Sequence, residues 1–241
     1  GTSFNMNMNE VLANRGLRNL RSCQRQLLTL FLQTTTATWL SPRTIHSRQL
    51  LKCVTILKSK PLIEALQRLV DELEKKAEEY KEVLKMGRTH LQDAVPITLG
   101  QEMALTLPVF AVALKRIQSS IEGAHVVNMG ATAVGTGLNA EPSYIEDVAH
   151  ELSEVVGEKF VTADNLIDAT NNTDIFADIS SGMKVTALVL IKMANDFRLM
   201  ASGPRCGIGE LKLPPRQPGS SIMPGKVNPV IAEVLNQSAT R

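Results

Sequence analysis

The sequence predicts an all-α protein built as a bundle of long helices. Apolar residues recur at steps of three and four over long stretches, and no stretch shows the alternating polarity of a strand. Gly- and Pro-rich loops separate these stretches. Ala, Leu, Ile and Val are common whereas aromatic residues make up only 4% of the chain, which suits closely packed helices. A pattern of helices alone favours a bundle.

The clearest predicted helix begins at Pro61 and ends near Gly87, because Pro suits the first turn of a helix and Gly its C-terminal cap. Its apolar stripe consists of Leu62, Leu66, Leu69, Leu73, Ala77, Tyr80 and Leu84. A second helix is predicted from about Leu99 to Asn128, with a kink at Pro108.

The remaining predicted helices follow a Gly-rich turn at Met129–Ala140. Pro142 and Gly157 bracket a short helix, and a last helix begins at Val230. Between them, Asp164–Met200 reads as one long helix that is apolar on nearly every side. A helix of this kind must be buried on several sides, and we expect other subunits to bury it.

The charge of the chain is unevenly distributed although the net charge is only +2. Residues 1–60 hold nine Lys or Arg and a single acidic residue, and residues 11–60 hold no Asp or Glu at all. A basic segment can indicate nucleic-acid binding. This one lacks the interleaving of aromatic with basic residues, and the fold signature, that such a site usually shows, so we expect no nucleic-acid partner.

Cysteine and histidine usage indicates neither disulfides nor a metal site. The three Cys (Cys23, Cys53 and Cys206) are far apart, and the four His are isolated. An odd number of separated cysteines favours a reducing compartment, which we take to be the cytoplasm. No apolar run is long enough to span a membrane, so we expect no membrane partner. The opening Gly1-Thr2-Ser3, without a start Met, suggests a piece of a longer protein.

Three segments could carry chemistry: GTSFNMN at 1–7, GRTH at 87–90 and GSSIMPGKVNP at 219–229. Each is weak alone, because a Thr-His pair at a helix end is often a cap and a Gly/Pro/Ser loop is often only a loop. MGATAVGTGLNA at 129–140 is a poor phosphate loop, since no strand precedes it and no Lys closes it.

In combination these segments closely resemble the fumarase/aspartase superfamily. The resemblance is carried by GRTHLQDAVPITLGQE, MGATAVGTGLNA and GSSIMPGKVNPV, and GSSIMPGKVNP fits the superfamily's signature loop without a mismatch. It covers residues 1–16 and roughly 61–237. Within the superfamily, MGATAVGTGLNA and LPPRQPGSSIMPGKVNPV look more like aspartate ammonia-lyase than fumarase, the nearest alternative.

The resemblance implies the reversible elimination of ammonia from L-aspartate to give fumarate, through an aci-carboxylate intermediate and without a metal or organic cofactor. Ser220, the first Ser of the signature loop, is the implied base. Serine is a poor base in water, so its alkoxide must be stabilised by dipoles and by exclusion of solvent, which a closing lid provides. His90 is implied as a second catalytic residue.

The resemblance also implies further site residues and an assembly. The implied substrate contacts are Thr2, Thr89, His90, Lys226 and Asn228, and the implied lid residues beside Ser220 are Gly219, Ser221, Met223, Pro224 and Gly225. The expected fold is the superfamily's central helical bundle, in a homotetramer whose active sites are each shared by three subunits. The expected divisions are the end of an N-terminal region (1–16), a divergent basic segment (17–54) and an incomplete bundle domain (55–241).

The basic segment 17–54 departs from the superfamily, which has a substrate loop of the form SPNDHxNMxQSTND there. Codons for Leu30–Ser47 can be chosen so that a shifted frame reads Val or Ile followed by SPNDHGNMAQSTNDTF, and codons for Asn19–Leu27 can likewise give ILGHARGN in the remaining frame. We therefore hypothesise a frameshifted translation here; the alternative is a true basic insertion. Without the substrate loop, the chain could be a catalytically dead fragment that only oligomerises.

Overall fold

The computed structural model describes residues 43–223 and 225–240, with side chains from residue 48 onward. Seven helices and four short strands follow one another along the described chain. The helices are α1 (Arg43–Glu79), α2 (Leu99–Ala104), α3 (Leu107–Ala124), α4 (Pro142–Val156), α5 (Leu166–Asn171), α6 (Asp174–Met200) and α7 (Val230–Ala239). The strands are β1 (Leu84–Thr89), β2 (Gln92–Thr98), β3 (Val126–Val127) and β4 (Val161–Thr162). The predicted helix-rich class is confirmed.

Helix α1 begins well before Pro61, so the predicted start of this helix is wrong. Pro61 lies inside the helix, where a proline removes one backbone hydrogen bond and costs about 3 kcal/mol. Apolar burial on both sides of it outweighs this cost, because Ile56 is 1% exposed and Leu66 and Leu73 are 4% and 5% exposed.

The predicted C-terminus near Gly87 is also wrong, because α1 ends at Glu79 and the chain continues into an antiparallel hairpin of β1 and β2. The prediction that the chain contains no strand is therefore wrong for this segment. The ladder shifts register between Met86 and Arg88. A Cβ at Gly87 would lie 2.7 Å from the Val95 carbonyl oxygen, so this glycine allows close approach of two strands rather than capping a helix.

The two other long predicted helices are each interrupted. The second divides into α2 and α3, and Pro108 lies in the first turn of α3 instead of kinking a continuous helix. Thr98 caps α2 through a reciprocal capping box with Gln101. The stretch 164–200 divides into α5 and α6, because the Asn165 side chain accepts hydrogen bonds from two backbone N–H groups at the start of α5 and Asn172 ends it in an extended conformation.

The short helix predicted between Pro142 and Gly157 is confirmed as α4. Pro142 is its first residue, and Gly157 ends it in the left-handed conformation at φ +75°. The Gly-rich stretch before it is a turn region, as predicted. Gly135 is required there, since a Cβ on it would lie 2.3 Å from the Ile167 Cα.

The chain divides into two compact units, and three helices contribute residues to both. Of the described residues, those up to 60 and those from 119 to 178 form one unit, and those from 61 to 118 and from 179 onward form the other. Buried apolar residues of the first unit include Ile56, Val127 and Phe160, and those of the second include Leu66, Phe110, Ile117 and Met193. None of the helices in the described ranges combines the length and the hydropathy needed to cross a membrane. The domain limits given above remain predictions.

Candidate functional site

The tip of the β1–β2 hairpin carries two of the predicted site residues. Thr89 ends β1 and pairs with Gln92, so His90 and Leu91 form a two-residue turn. Both turn residues have positive φ, 54° for His90 and 64° for Leu91, as a type I′ turn requires. Turns of this type favour Asn and Gly because larger side chains are strained there. The hairpin therefore presents an exposed imidazole on a strained turn.

A cavity of about 610 Å³ lies beside this turn, within the second unit. Its polar lining includes Lys85, Arg88, Thr89, His90, Lys192 and Asp196. Its apolar lining includes Val95, Ile97, Leu105, Leu199, Met200 and Ile208. Apolar walls with a few convergent polar groups are typical of sites for small ligands.

A cluster of charges borders the cavity and compensates two of its cations. Arg88 Nη2 donates to Glu210 Oε1 at 2.6 Å, and Lys85 Nζ lies 3.1 Å from Glu210 Oε2. Lys85 also pairs with Glu102. The Arg88 guanidinium, helped by Lys85, holds the pKa of the Glu210 carboxyl below its usual value.

The loop at 219–229 folds back on itself. A Cβ at Gly219 would lie 2.2 Å from the Lys226 carbonyl oxygen, so only glycine permits this approach of the two backbones. The Lys226 N–H donates to the Met223 carbonyl at 3.1 Å, and Gly225 adopts φ +87° between them. Residues Gly219 and Lys226 thereby close a turn that contains the predicted lid; Pro224 lies outside the described residues.

Ser220 is half-buried in this loop, whereas Ser221, Lys226 and Asn228 are exposed. The Ser220 hydroxyl oxygen accepts the Ile222 N–H at 3.3 Å. A backbone N–H directed at this oxygen stabilises negative charge on it.

The structure places the predicted site residues in two groups. Thr89 and His90 lie together at the hairpin, and Ser220, Lys226 and Asn228 lie together on the loop. None of the described loop residues is among those lining the hairpin cavity. Thr2 falls outside the described residues.

Sequence reasoning missed the charge cluster. Arg88 belongs to the GRTH motif, but Glu210 is 122 positions away, and no short-range pattern connects residues so distant. The hairpin could have been detected, because Gly87 and Pro96 are both unfavourable inside helices. Its two strands would then have placed Lys85 and Arg88 near Thr89.

Matches to known proteins extend over nearly the whole chain, across the basic segment 17–54 as well. A family described as a lyase matches residues 1–241. An aspartate ammonia-lyase of Bacillus subtilis (strain 168) is 47% identical over 244 residues, which is 99% of this chain and 50% of the relative. A class II fumarate hydratase of Photorhabdus laumondii subsp. laumondii is 43% identical over 235 residues, which is 98% of this chain and 51% of the relative.

The fold is shared with a solved structure, the cobalt-bound fumarate lyase:delta crystallin of Brucella melitensis. The TM-score is 0.88 at 40% identity, over 100% of this chain and 52% of the other. The chain thus spans about half the length of the curated relatives it matches. With a family match over all 241 residues and relatives above 40% identity, the chain belongs to the lyase family of the fumarase/aspartase superfamily.

Proposed function

We propose that the protein represented by this chain eliminates ammonia from L-aspartate to give fumarate, reversibly, with Ser220 as the base. The observation that carries the proposal is the Ile222 N–H directed at the Ser220 hydroxyl, within a loop that closes between Gly219 and Lys226. The somewhat higher identity to aspartate ammonia-lyase than to fumarate hydratase supports L-aspartate over L-malate.

The chemistry requires negative charge to be stabilised at two places. The Ser220 oxygen must carry charge before it takes the proton next to the β-carboxylate, and the Ile222 N–H stabilises that charge. The aci-carboxylate formed next needs cations and hydrogen-bond donors, which Lys226 and Asn228 provide from the same loop. Exposed glycines at 219 and 225 let the loop move and exclude water after substrate has bound.

Thr89 and His90 complete this site from a second copy of the chain. The described loop residues do not line the hairpin cavity, so a shared site brings the two groups together. Apolar exposure on α6 supports association, because Leu188, Leu199 and Met183 are 57%, 42% and 39% exposed. Homotetramers with active sites built from three subunits satisfy both observations.

The proposed base is tested by Ser220→Ala. The chain is assayed for fumarate formed from L-aspartate and, separately, from L-malate. We expect turnover of L-aspartate to fall by about 10²- to 10⁴-fold, because a base in contact with the reacting proton is lost. Ser221→Ala is the matched control from the same loop, and its effect should be far smaller. Undiminished turnover in Ser220→Ala would refute the assignment, and a preference for L-malate would identify a fumarate hydratase.

A catalytically dead, oligomerising fragment is the second candidate, and α1 provides an observation in its favour. Between residues 48 and 54, Gln49 and Lys52 are 4% and 8% exposed, whereas Leu51 and Val54 are 51% and 44% exposed. Apart from Cys53, which is 8% exposed, this polarity is the reverse of an ordinary amphipathic helix, which supports the frameshift hypothesis for 17–54. The encoding nucleotide sequence decides the matter, since codons incompatible with the shifted reading would exclude it.

A further inference from the structure

The turn that holds Thr89 and His90 needs support from outside itself. His90 and Leu91 both occupy left-handed conformations, which residues with large side chains adopt only where surrounding structure enforces them. The twist of a two-residue turn of this kind must match the twist of the two strands that it joins. The residues that fix the last part of β1 therefore also fix the position of the imidazole.

Arg88 is the first such residue, and the irregular register of the hairpin determines where it lies. Met86 pairs with Pro96 and Arg88 with Asp93, so one residue of β1 faces two residues of β2 across this interval. A bulge of this kind increases local twist and redirects the neighbouring side chain. Here the Arg88 guanidinium reaches Glu210, 2.6 Å from Nη2 to Oε1.

Glu210 joins this strand to the end of α6. Its carboxylate contacts both Arg88 and Lys85, whose side chains are 22% and 7% exposed. Its backbone N–H donates at 2.9 Å to the carbonyl of Met200, the last residue of α6. Glu210 thus links two positions of β1, through its carboxylate, to the end of a long helix, through its backbone N–H, next to the cavity that Thr89 and His90 line.

We propose that Glu210 is a positioning residue for the Thr89–His90 turn and acts through Arg88. This inference rests on the proposed function, in which that turn contacts substrate. Without the Glu210 carboxylate, Arg88 loses its close anionic partner and retains only Asp93 at 4.0 Å, and β1 loses the side-chain link that runs through Glu210 to the end of α6. The turn then relaxes, and the freed guanidinium offers a competing anchor for substrate carboxylate.

The test is a double-mutant cycle of Glu210→Gln and Arg88→Gln, with KM and kcat for L-aspartate measured separately. We expect each single variant to raise KM about tenfold with a smaller change in kcat, as loss of a charge-assisted hydrogen bond predicts. The double variant should be no worse than either single variant, because both remove the same contact. A rise of KM in the double variant equal to the product of the two single rises would overturn the proposal. If Glu210→Gln does not fold, Arg88→Lys takes its place, since it retains the cation but loses the planar fork.

Glu158→Gln is the matched control. The Glu158 side chain is 15% exposed and pairs with Lys60, against 18% for Glu210, but it belongs to the other unit. We expect it to affect thermal stability without raising KM. An equal rise of KM in both glutamine variants would show a general effect of losing an ion pair and would overturn the proposal. Glu210→Asp keeps the negative charge, so its KM should rise less than that of Glu210→Gln.

Amide hydrogen exchange separates this inference from the proposed function. If the chain turns over neither L-aspartate nor L-malate, the proposed function fails for this chain, but exchange still reports the turn. Glu210→Gln should then speed exchange of the amides of Thr89 and Gln92, which pair at the end of the ladder, about tenfold, with Glu158→Gln unchanged there. Unchanged protection in Glu210→Gln would overturn the positioning role, whatever the activity.

Discussion

His90 and Leu91 illustrate how a single turn can be favourable for a site and unfavourable for folding. The two residues have φ 54° and 64°, where an ordinary side chain costs about 1 kcal/mol or more. Leu91 is also 67% exposed, so its apolar surface contributes little to offset that cost. The conformation is enforced by the flanking ladder rather than by the turn residues themselves.

Leu91→Gly should therefore stabilise the chain. Glycine adopts positive φ without steric cost, and after subtracting the greater freedom of glycine in the unfolded chain we expect a gain of about 0.5–1 kcal/mol. The measurement is the free energy of unfolding from urea titration. Leu138→Gly is the control, since Leu138 is similarly exposed at 72% and is not among the positive-φ residues. Destabilisation by Leu91→Gly equal to that of the control would show that the turn is not strained.

At the scale of the element, α1 buries one lysine near its start, Lys52, whereas lysines further along the helix are exposed. Lys52 is 8% exposed, and its Nζ donates to the Val126 carbonyl at 2.6 Å. Burial, followed by the Arg48 charge, lowers the pKa of Lys52, although Asp174 partly opposes the shift. The folded chain thus releases this proton at a lower pH than the unfolded chain does.

Stability should consequently rise with pH through the contribution of Lys52. Between the lowered pKa of the folded state and the model-peptide value of 10.5, the unfolded state binds more protons than the folded state. The free energy of unfolding therefore increases as the pH rises through this interval, and decreases again as the pH falls through it. We expect the difference between the wild type and Lys52→Met to grow in favour of the wild type from pH 7 to pH 10.5. Urea titrations at several pH values measure it. A difference as flat as that for Lys58→Met, an exposed site on α1, would contradict this account.

Elements whose ends are set by local chemistry were predictable. Helix α4 has Pro142 at its start and Gly157 after its end, and both signals act within one turn. The hairpin was missed because Gly87 looks like a helix cap in the sequence, while its actual reason is the Val95 carbonyl across the ladder. The Arg88–Glu210 pair could not be predicted from the sequence for the same physical reason, since only tertiary folding brings such distant residues together.

At the scale of the whole molecule, the proposed assembly depends on apolar faces that one chain leaves uncovered. Leu188, in the middle of α6, is 57% exposed. Leu188→Glu adds little cost to a single chain but places a charge in an apolar interface, where it is strongly unfavourable. We expect sedimentation equilibrium to show tetramers for the wild type and smaller species for the variant.

Val155→Glu is the control for this prediction. Val155 is 75% exposed and lies near the end of α4, outside the α6 face. Its substitution should leave the mass of the assembly unchanged. A Leu188→Glu variant with the same mass as the wild type would place the interface on another surface.

The distance along the chain between Arg88 and Glu210 also determines the order in which the site can form during synthesis. The two partners are separated by 122 residues, which a ribosome adds in about 6–25 s at ordinary elongation rates. Until then the hairpin has emerged but lacks the carboxylate that binds both Lys85 and Arg88. The turn can therefore reach its final geometry only after Glu210 has been synthesised, which is late in the translation of the chain.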